Sequence, residues 1–126
     1  MPRWSSHKNQ PFHRRVGFAL CGLRVAFMTE GNFRIQVIAL LCIVALLIVG
    51  RAEPVWWALV LLTSGAVMAA ELFNTAVENL VDHLHPDVHP RIRIVKDCAA
   101  AAVLVSATAA IGVGVAFLIH LVTSAA

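Results

Sequence analysis

Glu71, Asn74, Glu78 and Asp82 come directly after an apolar run, in the stretch AAELFNTAVENLVD at 69–82. At 100° per residue they share an arc of about 80° on one helix face and form a ladder about 16 Å tall. An ionised carboxylate in hydrocarbon costs roughly 2.5 to 3.5 kcal/mol even on the lenient insertion scale, so three of them so close together need a reason. One reason is a solvated face where a helix leaves the membrane, which accounts for Glu78 and Asp82 better than for Glu71, the residue furthest into the apolar run. The other is chemical. Glu30, Lys96 and Asp97 are expected at the same membrane level. Carboxylates, an amide and a lysine converging there suit a divalent cation and phosphates, because hard oxygen ligands hold Mg²⁺ and an ammonium group neutralises phosphate charge. Neither GxxxxGK[ST] nor GxGxxG is present to announce a nucleotide.

The elements that must position this ladder follow from composition. Of the 126 residues 60% are hydrophobic and 13% charged, too apolar for a soluble domain of this size, and the chain reads as a small all-α integral membrane protein. Three apolar stretches, Ile35 to Gly50, Pro54 to Ala70 and Cys98 to Ala126, predict three membrane helices over about 33–50, 54–82 and 91–124. Residues 1–11 read as a polar cytoplasmic tail. Phe12, Val16, Leu20, Leu23 and Phe27 then share an arc of about 80°, which predicts an amphipathic surface helix over 12–29, ended by TEGN at 29–32. RAEP at 51–54 is the outer turn, with Trp56 and Trp57 at the outer interface. Pro86 and Pro90 end the second span. The small residues of CAAAAV and SATAAIGVG favour close helix packing in the third. One domain over 1–126 is expected, with no internal repeat.

Arg51 is the one basic residue on the outer side; the other nine of the ten precede the first span or lie between the second and third. The N-terminus and the second loop are therefore expected in the cytoplasm. The first thirty residues lack an uninterrupted apolar core and do not read as a signal peptide. The net charge of +3 suits an anionic lipid surface, and no nucleic-acid motif accompanies it. Cys21, Cys42 and Cys98 are too scattered for a disulfide framework or zinc knuckle. His83, His85 and His89 lack a fourth ligand, and His120 is expected near the outer end of the third span.

The residues ELFNTAVENLVDHLHPDVHPRIRIVKDCAAAAVL, with GLRVAFMTEGNFRIQ, closely resemble the prokaryotic diacylglycerol kinase family, which also includes undecaprenol kinase. The resemblance covers about residues 12–120. It implies a homotrimer in the bacterial inner membrane that transfers the γ-phosphate of MgATP to a membrane lipid hydroxyl at the cytoplasmic face. Carried over by position, Glu71 matches the proton acceptor and Glu30 and Glu78 the metal ligands. Lys96 and Asp97 match a nucleotide-binding pair, Asp87, Val88 and His89 an ATP-contacting loop, and Arg14 a basic position near the phosphates. Asn74 and Asp82 match supporting polar positions, while Asn32, Phe33 and Arg34 match a stretch lining the lipid's entry. The chain departs from the pattern at Pro11, Phe18, Cys21 and Gln36. Diacylglycerol is the expected acceptor and undecaprenol the alternative; a non-catalytic membrane oligomer or channel is the reading from another class.

Overall fold

The computed structural model describes residues 10–87 and 89–125. Residues 1–9, which hold most of the expected tail, and Val88 lie outside the described residues. Four helices follow in order: α1 (Phe12–Thr29), α2 (Gly31–Val49), α3 (Pro54–Leu84) and α4 (Pro90–Ser124). The fold is all-α, and α2, α3 and α4 are each long and apolar enough to cross a membrane.

Local chemistry sets the boundaries. Glu30 alone leaves helical geometry (φ −100°, ψ 113°), serving as the C-cap of α1 and the N-cap of α2. The break expected over four residues is thus one residue wide, and Gly31 and Asn32 already belong to α2. Carbonyls freed at the end of α1 find a donor: Arg34 Nη1 donates to the carbonyls of Met28 at 3.1 Å and Phe27 at 3.4 Å. Pro54 and Pro90 occupy the first turns of α3 and α4, where a missing N–H costs nothing. At the start of α4, His89 Nδ1 accepts from the Arg91 N–H at 3.2 Å.

With 31 and 35 residues, α3 and α4 run about 46 and 52 Å, well beyond a hydrocarbon core of about 30 Å. They form the main helix pair, with α2 against α3 and α1 resting lightly on α2 and α3. Leu47, Val60 and Phe117 form a buried cluster where the end of α2, the start of α3 and the end of α4 meet. Trp56 sits over it, its ring 5.2 Å from both Phe117 and His120. Trp56 and His120, both expected at an interface, therefore also pack on each other.

Most other large apolar side chains face outward, including Ile38, Leu41, Leu62, Leu104 and Ile111, as lipid-facing helices require. All five residues of the α1 stripe are exposed too, so that stripe is not consumed by contact with the rest of the chain. The small residues of α4 only partly close the packing: Ala107, Ala110 and Gly114 border an apolar cavity of about 300 Å³ shared with α2 and α3.

The outer turn is tight. Arg51 adopts φ 46°, in the left-handed region, while a Cβ at Gly50 would lie 2.6 Å from Leu121 Cδ2 and 3.0 Å from the Leu46 carbonyl oxygen. Opposite effects follow at adjacent positions: Gly50→Ala destabilises by about 1 to 3 kcal/mol through crowding, whereas Arg51→Gly stabilises by roughly 0.5 to 1 kcal/mol by removing the left-handed penalty. Unfolding in mixed micelles measures both; equal signs would contradict this turn geometry.

Candidate active site

Glu71 is 3% exposed, the one charged side chain buried among the described residues. It lies on α3 beyond the apolar stretch, and from α2 Gln36 Nε2 donates to its Oε2 at 3.4 Å. Gln36 also borders the 300 Å³ cavity, together with Val67 and Met68 one turn before Glu71. The cavity therefore reaches the amide that bonds this carboxylate, one helical turn short of Glu71 itself.

Along the same face of α3 the surroundings become wetter. Asn74 Nδ2 donates to Glu78 Oε1 at 3.2 Å, both half-buried, and the Asn74 Oδ1 atom is buried without a partner. Asp82 is exposed and its Oδ1 accepts from Lys96 Nζ at 2.6 Å, joining α3 to α4. This gradient reconciles the two readings of the ladder: Asp82 belongs to a solvated face, Glu71 does not.

The remaining predicted site residues group less tightly. Lys96 and Asp97, adjacent in sequence, take different partners, since Asp97 Oδ2 lies 3.8 Å from Arg93 Nε one turn earlier. His89, Arg93 and Asp97 border an open depression of about 530 Å³. Glu30 is half-buried at the α1–α2 break and accepts from Thr29 Oγ1 at 3.3 Å. Phe33 is buried, with exposed Asn32 and Arg34 beside it. Arg14 donates to Gln10 at 3.3 Å, and Asp87 is exposed on the α3–α4 loop. Gln36 and Arg93 were not among the predicted site residues. Gln36 had a legible signal, a strong hydrogen-bonding group at the head of the run IQVIALLCIVALLIV.

Among the described residues no three His, Cys, Asp or Glu side chains group closely enough to hold a metal by themselves. The donors present fit a cation of another kind. Mg²⁺ is usually held through one or two carboxylates, with phosphate and water oxygens completing its shell. Glu78 offers a carboxylate of this kind, and beside it Asn74 Oδ1, without a partner among the described residues, is a further hard oxygen.

Fold and site together define a helical membrane protein with an acidic, amide-supported site at one end of its spanning helices. The family model described as prokaryotic diacylglycerol kinase matches residues 17–118. The chain is 40% identical over 98 residues to a diacylglycerol kinase of Synechocystis, covering 77% of this chain and 56% of that protein. It is 30% identical over 103 residues to the undecaprenol kinase of Bacillus subtilis, covering 80% and 84%, and 29% identical over 98 residues to the diacylglycerol kinase of Escherichia coli K12, covering 78% and 80%. The chain belongs to the prokaryotic diacylglycerol kinase family.

A carboxylate buried with a single amide partner among the described residues is expensive to keep. Replacing both partners, Glu71→Met with Gln36→Leu, is expected to raise stability by about 1 to 2 kcal/mol, read as a later unfolding midpoint in mixed micelles. A clear loss of stability would make Glu71 a structural residue.

Proposed function

We propose that this chain is an MgATP-dependent lipid kinase of the bacterial inner membrane, working at the cytoplasmic face on the hydroxyl of diacylglycerol to give phosphatidic acid. The observation that carries the reading is the buried Glu71 carboxylate, bonded by a Gln36 that also borders the apolar cavity. A lipid hydroxyl arriving from the bilayer meets a proton acceptor there while its chains stay in apolar surroundings.

The lipid hydroxyl gives its proton to Glu71 as its oxygen bonds to the γ-phosphorus. The bond from that phosphorus to the bridging oxygen breaks, and ADP leaves. Phosphoryl transfer is chiefly positioning and charge neutralisation, with little covalent work for the protein. Lys96, at an exposed end of the ladder, faces phosphate by giving up or sharing its contact with Asp82. His89 and Asp97 border the depression that suits the rest of the nucleotide, with Asp87 on the adjoining loop and Arg14 contributing from α1. Glu30 and Glu78 would hold Mg²⁺, which would supply charge neutralisation at the phosphates. Asn74 holds Glu78 in place, and Asn32, Phe33 and Arg34 line the lipid's approach beside the α1–α2 break.

The exposed stripe of α1 suits the membrane interface, and the unpartnered apolar faces of α2 to α4 suit lipid or the neighbours of a homotrimer. Undecaprenol is the second acceptor to consider, because the match covers 84% of the Bacillus undecaprenol kinase but 56% of the Synechocystis protein. A channel or other non-catalytic oligomer leaves unexplained why one carboxylate is buried under an amide while Lys96 waits at the surface.

Incubating the purified protein with γ-labelled ATP, Mg²⁺ and each lipid decides between these readings. Label in phosphatidic acid is expected, label in undecaprenyl phosphate alone would reassign the acceptor, and no labelled lipid would refute the kinase. Glu30→Gln and Glu78→Gln should each lower turnover at least about 100-fold at ordinary Mg²⁺, since each removes a charged oxygen from the cation. Near-parental rates in both would refute them as ligands.

Orientation has its own test. In a background lacking the exposed Cys21, Cys42 and Cys98, a cysteine at Glu53 should react with an impermeant outside reagent and one at Pro86 should not. The reverse pattern would place the site on the wrong side of the membrane for ATP.

A further inference from the structure

The contact between α2 and Glu71 carries one more step. We propose that Gln36 is the positioning residue for Glu71, holding one carboxylate oxygen so that the other meets the lipid hydroxyl, and serving the carboxyl both before and after it takes the proton. The inference rests on the lipid-kinase reading above.

Gln36 Nε2 reaches Glu71 Oε2 across 35 positions of chain, from one helix to another, so it fixes the side chain against α2 as well as α3. Its own Oε1 is buried and has no partner among the described residues. A buried carbonyl oxygen left unused costs stability, and such an atom needs a reason. An ionised carboxylate can only accept, so the amide must present its N–H to it. Once Glu71 holds the proton it becomes a donor. A half-turn about the last torsion of Gln36, which is broad and roughly two-fold, then presents Oε1 as the acceptor. One amide thereby supports both states of the base in a place where water is scarce. An aliphatic chain at position 36 would leave the base unheld.

Methionine matches glutamine in length without a strong donor, whereas a neutral imidazole offers an N–H on one nitrogen and an acceptor on the other. The test uses the full chain in mixed micelles with MgATP and diacylglycerol or undecaprenol, whichever the parent phosphorylates. Gln36→Met should lower kcat about 10- to 100-fold, the scale of a hydrogen bond to a charged group, with KM for MgATP within about twofold. Gln36→His should bring kcat back to within about fivefold of the parent. In a Glu71→Asp background, whose shortened carboxylate is out of reach of Gln36, the same Gln36→Met change should cost less than about threefold.

The proposal is overturned if Gln36→Met turns over within about twofold of the parent, if it costs the same in both backgrounds, or if the loss lies in KM for MgATP. Should Gln36→Met fail to fold, Gln36→His decides alone, support lying within the fivefold limit and contradiction below it. A parent inactive on both lipids overturns the lipid-kinase reading and this inference with it, whereas an active parent with an indifferent position 36 overturns this inference alone.

Discussion

A carboxylate in an apolar bundle is the constraint around which this protein is arranged. Glu71 is nearly inaccessible, and its one side-chain hydrogen bond comes from Gln36 on a different helix. Keeping an acid there requires α2 and α3 to meet at a fixed height. Two features set that height: α2 begins immediately after the one-residue break at Glu30, and its far end is locked by the Leu47, Val60 and Phe117 cluster. The end packed around Leu47 and Phe117 anchors the helices, while the opposite end carries the polar groups.

Length divides the labour along α3. A helix of 31 residues exceeds the hydrocarbon core, so its last turns emerge from it, and each ladder residue meets a different degree of hydration. Glu71 is buried, Asn74 and Glu78 are half-buried, and Asp82 is exposed with Lys96 bonded to it. The order is the one the proposed transfer from a water-soluble nucleotide to a lipid would need: charge-bearing groups at the more exposed end and the proposed proton acceptor at the buried end. The helix is a ruler as well as a scaffold.

Much of this was legible in the sequence because the signals were periodic. Apolar run lengths and the prolines at 54, 86 and 90 placed the helices within a residue or two, and the spacing from Glu71 to Asp82 put the ladder on one face. Break width was harder, since TEGN looks like a four-residue interruption, yet the Arg34 guanidinium reaches back over the break to the end of α1 and helix resumes after Glu30. Pairings between helices were not legible. Nothing in the spacing tells Lys96 to choose Asp82 over its neighbour Asp97, or Gln36 to find Glu71, because such contacts depend on how helices rotate against one another. Small residues on α4 suggested tight packing throughout, but they also border a cavity, since small side chains leave room wherever a neighbouring helix does not fill it.

The central claim is that Glu71 is the proton acceptor, and the most direct measurement compares nucleotide binding with turnover in Glu71→Gln, which keeps the shape of the side chain and removes its basicity. MgATP affinity should stay within about twofold of the parent while lipid phosphorylation falls by about 10² to 10⁴-fold or more, the usual scale of base catalysis. Lipid turnover within a few-fold of the parent, or a loss explained wholly by weaker MgATP binding, would contradict the account.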